Sequence, residues 1–275
     1  MSVFNLAELN YNVETAGEGA PLMLLHGFTG CARSWGQVQP ALATRFRLIM
    51  PDLLGHGKSD APTDPARYRM ECCVEDLVAI LDVLHVSRTH LLGYSMGGRV
   101  ALAAAIARPD RIASLTLESA SPGLAAEDER RARAASDNAL AEFIEREGVA
   151  AFVARWEQIP LFSSQERLPG AVREHLRAQR MRNNRVGLAN SLRGLGTGIQ
   201  TPLWERLGEL RMPCLMMAGE LDAKFVDVAR RMAAAVTGSR LEVVAGAGHT
   251  IQLEQPEAFE RLVVEFAGAH PIELE

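Results

Sequence analysis

The sequence predicts an α/β fold, a mostly parallel sheet flanked by helices and interrupted by a helical insertion. Three observations carry this expectation. Short apolar runs alternate with helical patterns through the first half of the chain. The alternation stops after Pro122-Gly123 and strand-like runs resume only near residue 214. A G-x-S-x-G motif lies between a strand-like run and a helix-like run.

Residues 21–25 read as the first buried strand, and 46–50, 89–92 and 112–117 follow it. Each is strongly apolar, as in strands covered on both faces, and each ends in a turn rich in Gly, Pro or Ser. Within residues 70–85, Cys73, Leu77, Ile80, Leu81 and Leu84 recur at helical spacing and share one face. Residues 125–205 show helical periodicity without a convincing strand and hold twelve arginines and no lysine. Strands return at 214–217 and 241–244, and a last helix is expected over 256–269. The expected organisation is a core of residues 1–124 and 206–275, with residues 125–205 as a helical cap.

The chain has 275 residues, 48% of them hydrophobic and 23% charged, ample for a buried core and unlike a disordered chain. Its net charge of −5 offers no basic field for nucleic acid or anionic membrane, and no apolar run is long enough to span a bilayer. The start, Met1-Ser2-Val3-Phe4-Asn5, lacks a basic stretch followed by an apolar one, so a cytoplasmic protein is expected. Cys31, Cys72, Cys73 and Cys214 form no C-x-x-C pair and no zinc-ligand spacing. Neither a metal nor an organic cofactor is implied.

Gly93-Tyr94-Ser95-Met96-Gly97 follows one strand and opens the helical run 99–106. The glycines permit a sharp turn that exposes the Ser95 hydroxyl, and the helix N-terminus behind it favours developing negative charge. A serine nucleophile needs a base, and the base needs an orienting acid. Asp222 lies just beyond the strand at 214–217, and His249 lies just beyond the strand at 241–244. Both positions are strand ends, and the chain order Ser95, Asp222, His249 suits a triad. Glu220 is the rival acid, but as a near neighbour on an extended loop it faces elsewhere. His26 and His56 sit in Gly-containing turns and read as turn stabilisers. An oxyanion hole needs two backbone N–H donors. Met96, next after the nucleophile, and Phe28, in the loop after the first buried strand, are the candidates.

The His26-Gly27 loop, Asp52-Leu53-Leu54-Gly55-His56-Gly57-Lys58-Ser59, the Ser95 elbow, Asp222 and His249 together resemble the α/β-hydrolase superfamily across nearly the whole chain. Finer features include Gly97-Gly98-Arg99, the run Glu118 to Leu124, Trp156 to Phe162, Gln179-Arg180 with Asn183-Asn184, and Lys224-Phe225. In these the chain is similar to the 2-succinyl-6-hydroxy-2,4-cyclohexadiene-1-carboxylate synthases of menaquinone biosynthesis. The resemblance implies a lyase that eliminates pyruvate from a polycarboxylate, with a Ser-His-Asp triad as base. It also implies substrate contacts from Tyr94, Arg99, Arg133, Arg180 and Trp156. Arg130 and Arg131 compete with Arg133 for that position, and Arg177 and Arg182 with Arg180. A hydrolase using Ser95 as nucleophile on a carboxylester or a C–C bond is the alternative, and a non-catalytic small-molecule receptor is a third reading.

Overall fold

The computed structural model describes residues 2–6 and 8–272. Its frame is a sheet of β1 (Ser2–Leu6), β2 (Leu9–Ala16), β3 (Ala20–Leu25), β4 (Phe46–Pro51), β5 (Thr89–Tyr94), β6 (Ile112–Glu118), β7 (Cys214–Gly219) and β8 (Arg240–Val244). The spatial order is β1-β2-β4-β3-β5-β6-β7-β8. β2 runs antiparallel to both β1 and β4, and every other pairing is parallel. The helices are α1 (Gln39–Leu42), α2 (Met70–Val83), α3 (Met96–Ala107), α4 (Glu127–Trp156), α5 (Gly170–Arg180), α6 (Arg185–Leu195), α7 (Ala223–Ala235), α8 (Ile251–Glu254) and α9 (Pro256–Gly268).

The strand period of two divides the apolar runs between two faces. Met23 and Leu25 enter one core with residues of α2, α3 and α7, while Leu22 and Leu24 enter another with residues of α1 and α9. In the second core Trp35 stacks on Phe259, ring centres 6.1 Å apart. The β1–β2 hairpin occupies a stretch in which the sequence shows no apolar run. It lies at the sheet edge, and β1 has mostly exposed side chains.

Helices α4, α5 and α6 lie between β6 and β7. Gly148 interrupts α4 with φ 81° and ψ 172°. Beyond the break, Phe152 and Val153 pack with Ala141, Ile144, Leu188, Ala189 and Leu192 in a third apolar cluster. This segment therefore has an apolar cluster of its own, against which Phe28 packs, while Leu195 of α6 joins the sheet's core. It meets the sheet's loops where Gly187 of α6 presses on Gly55. A side chain at Gly187 would collide with the Gly55 backbone, and Gly55 itself has φ 79°.

Gly187→Ala should destabilise the protein by about 1–3 kcal/mol, the usual cost of overpacking. Urea unfolding measures that loss, and hydrogen exchange should show faster opening of α6 than of β5. Unchanged stability would mean the contact yields without strain.

Candidate active site

Ser95 stands where β5 ends and α3 begins, with φ 52° and ψ −109°. This is a conformation that a non-glycine residue adopts only under constraint. The constraint is visible. Its N–H donates to the Glu118 carbonyl at 2.8 Å, and its carbonyl accepts the Arg99 N–H at 3.1 Å. Gly97 is pressed so closely on the Leu25 carbonyl that a side chain there would collide with it. The hydroxyl is thereby aimed out of the strand–helix junction.

Asp222 lies at the carboxyl end of β7 and caps α7 through a 3.4 Å bond from the Phe225 N–H. His249 follows β8 on a loop whose Ala247 carbonyl accepts the Leu221 N–H at 2.9 Å. The His249 Nδ1 lies 2.6 Å from Asp222 Oδ2, and its Nε2 lies 3.0 Å from Ser95 Oγ. His249 is almost wholly buried and Asp222 nearly so. The Phe225 ring stands edge-on to the imidazole at 4.7 Å. Glu220 instead accepts the Gly246 N–H at 2.9 Å, which leaves Asp222 as the carboxylate on the imidazole.

Phe28 and Met96 both line the cavity in front of Ser95, and neither backbone N–H has a protein acceptor among the described residues. Met96 begins α3, where a helix has no carbonyl behind its first N–H groups. Buried neighbours hold the Phe28 loop. Asp52 accepts from the N–H groups of Ala32 at 2.6 Å and Lys58 at 2.8 Å. His26 accepts the Leu53 N–H on Nε2 at 3.0 Å and donates from Nδ1 to the Gly27 carbonyl at 2.8 Å. Burial pushes His26 down to about 4 and His56 down to about 3, so both are neutral at pH 7.

The cavity holds about 700 Å³ and is lined by Ser95, His249, Tyr94, Trp156, Arg99 and Arg133 among others. Arg99 is 8% exposed. Its Nη1 donates to the Leu195 carbonyl and to Gln200 Oε1, each at 2.8 Å. Its Nε and Nη2 have no protein partner, and no carboxylate pairs with it among the described residues. Burial, then the Arg133 charge, lowers its pKa to about 10. Arg133 bonds Asp137 at 2.8 Å on the same wall. Its sequence rivals turn away, Arg130 to the Leu124 and Ala125 carbonyls and Arg131 to Glu127.

Arg180 is not brought into this cavity. It faces a neighbouring one of about 440 Å³, behind the shared walls of Phe28, Tyr94 and Phe162. Its guanidinium lies 5.1 Å over the Phe162 ring and bonds Gln165 at 3.2 Å and Glu157 at 3.4 Å. Those partners hold two of its nitrogens behind the ring, while the buried Nε has no partner. Arg177 pairs with the same Glu157, and Arg182 lines a small cleft beside Cys31.

A family model described as alpha/beta hydrolase fold matches residues 20–256. A Bacillus subtilis (strain 168) protein provisionally named 2-succinyl-6-hydroxy-2,4-cyclohexadiene-1-carboxylate synthase is 46% identical over 260 residues, 94% of each chain. The chain belongs to the α/β-hydrolase family, in its 2-succinyl-6-hydroxy-2,4-cyclohexadiene-1-carboxylate synthase branch. A Klebsiella pneumoniae protein of that synthase name is 35% identical, the match covering 91% of this chain and 95% of the other. A solved structure described as MenH from S. aureus superposes with a TM-score of 0.90 at 35% identity, covering 94% of this chain and 98% of that one.

Several residues at the site of this α/β-hydrolase escape sequence reasoning. Thr250 Oγ1 joins the Tyr94 hydroxyl at 2.8 Å and the Gln165 amide at 2.9 Å, linking the elbow to the Arg180 cluster. Gln200 and Asp137 brace the two cavity arginines. Thr250, Gln165 and Gln200 belong to no local motif, because each works across a long stretch of chain, whereas Asp137 lies four residues after Arg133 on the same helix. Among the described residues no three His, Cys, Asp or Glu side chains converge to hold a metal, and no helix is long and apolar enough to cross a membrane.

The buried histidines make stability depend on pH. Their folded pKa values lie below the unfolded one of about 6.5, so the unfolded chain binds protons that the folded one refuses. Stability should therefore fall as pH drops from about 6.5 toward 4. Each histidine contributes up to ~1.4 kcal/mol per pH unit. Urea unfolding of His26→Asn between pH 7 and 4.5 should show a shallower slope than the parent. An equal slope would mean His26 is not held neutral.

Proposed function

We propose that the protein is a carbon–oxygen lyase that eliminates pyruvate from a succinylated enolpyruvyl cyclohexene carboxylate, giving 2-succinyl-6-hydroxy-2,4-cyclohexadiene-1-carboxylate for menaquinone biosynthesis. The observation that carries this is the buried Arg99 guanidinium, which lines the cavity of Ser95 and His249 with no carboxylate within hydrogen-bond reach, Asp137 being near enough only to act on its charge. An unpaired buried cation is costly, and a substrate carboxylate removes that cost. Arg133 adds a second positive charge on the same wall. The names of the relatives agree with a substrate bearing several carboxylates.

In this reading Ser95 is the base. His249, aligned by Asp222, takes the hydroxyl proton as Oγ removes a proton from the carbon beside the succinyl ketone. The electron pair moves onto the ketone oxygen, where the N–H groups of Phe28 and Met96 hold the oxyanion. Its return forms the new ring double bond and breaks the C–O bond to enolpyruvate. That leaving group takes up a proton and becomes pyruvate. Residues 125–205 form the lid over the reaction, with Trp156 and Tyr94 as apolar walls. The four free cysteines fit a reducing cytoplasm.

The direct test is pyruvate release from the enolpyruvyl substrate. Ser95→Ala, Asp222→Asn and His249→Ala should each lower turnover by about 10³-fold or more without unfolding the protein. Rapid turnover of simple esters with no pyruvate formed would favour the hydrolase instead.

A further expectation concerns charge. Arg99→Ala should reduce kcat/KM on the polycarboxylate by about 2–5 kcal/mol of transition-state binding while sparing a neutral p-nitrophenyl ester. Arg99→Lys should recover little, since a point charge does not reproduce the guanidinium fork. Equal damage to both substrates would assign Arg99 to the fold rather than to the substrate.

A further inference from the structure

Glu118 ends β6 and is fully buried. It touches the backbone of Ser95 and the chain just beyond His249. Its carbonyl holds the Ser95 N–H at 2.8 Å. Its carboxyl Oε1 accepts the N–H of Ile251 at 2.7 Å and that of Gln252 at 3.3 Å, just beyond His249 in the chain. The Gln252 amide, with its nitrogen turned to the carboxyl, donates there as well.

A carboxyl in this place needs a reason. No cation pairs with it among the described residues, and burial drives its proton affinity well above the ordinary glutamate range against the pull of the Gln252 and Ile251 N–H groups. An apolar side chain would pack at lower cost. What the carboxyl adds is reach. Glu254 also braces the His249 loop, accepting from Gly248 at 2.8 Å and Thr250 at 3.2 Å, but it belongs to the same local segment. Glu118 ties that loop to the strand whose carbonyl fixes Ser95, and Tyr94 adds a hydroxyl contact to Thr250 from the next strand.

We propose that Glu118 is a positioning residue, whose buried carboxyl sets the segment carrying His249 and so the distance from imidazole Nε2 to Ser95 Oγ. The proposal rests on Ser95 and His249 forming a reacting pair, and not on which substrate they serve.

The test is the rate at which diisopropyl fluorophosphate, a small neutral probe, phosphorylates Ser95, followed by mass spectrometry alongside circular dichroism and melting temperature. Glu118→Ala should slow labelling by about 10- to 100-fold, the scale of a misplacement near 1 Å. Glu118→Asp, one methylene short, should fall between Ala and the parent. Glu118→Gln should keep most of the rate, because its amide oxygen still accepts both N–H groups and its nitrogen can face the Gln252 oxygen. With the natural substrate kcat should fall while KM holds. Folded Ala and Asp variants that label at the parent rate would overturn the proposal, whatever their melting temperatures. If Glu118→Ala does not fold, the Asp variant decides alone. A parent protein that resists labelling would overturn the reacting pair, and this proposal with it. Labelling without pyruvate release would overturn only the lyase reading.

Discussion

Ser95 presents its hydroxyl only because its backbone is held in a left-handed region that costs an L-residue about 1–3 kcal/mol. The surroundings leave it no alternative. The sheet supplies a carbonyl for its N–H, the helix supplies an N–H for its carbonyl, and Gly97 lets the turn press against β3. Once that turn is made, the rest inherits its direction. The Met96 N–H points forward from the start of α3, Arg99 returns to the same face one turn later, and the ends of β7 and β8 bring Asp222 and His249 to the hydroxyl.

Charge then decides what such a site can serve. The hydrogen-bonded row of Ser95, His249 and Asp222 alone is compatible with many reactions. The cavity is more selective, because Arg99 is largely buried with no carboxylate within hydrogen-bond reach, Asp137 acting on it only at a distance and bonding Arg133 instead. Arg180 differs in its company. Glu157 and Gln165 accept from two of its nitrogens and the Phe162 ring covers it, while its buried Nε has no partner. Of the two buried arginines, one thus has no carboxylate within hydrogen-bond reach and the other has Glu157.

Much of this was legible in the chain. The inner parallel strands are buried on both faces and so read as apolar runs, and Ser95, Asp222 and His249, which the fold brings into hydrogen-bond reach of one another, lie at strand ends next to glycine-rich turns. The β1–β2 hairpin was not legible, because β1 is an exposed edge element with no continuous apolar signal. Nor was the placing of Arg180, since sequence spacing does not show which ring will stand between a guanidinium and a cavity. Glu118, Thr250 and Gln165 were hidden for a related reason. Their partners are distant in sequence, and only the packed fold brings them within hydrogen-bond reach.

Phe28 belongs to two bodies at once. Its backbone sits on a loop locked to the sheet through Asp52 and His26, while its ring stands edge-on to Trp156 at 5.4 Å and Phe152 at 6.0 Å within the helical segment. The residue therefore acts as a rivet through two plates. Any shift of the helical segment over the sheet would carry the ring with it and turn the N–H at its other end. In the proposed reaction that N–H holds the oxyanion, so the seating of the helices and the stabilisation of charge would be set together.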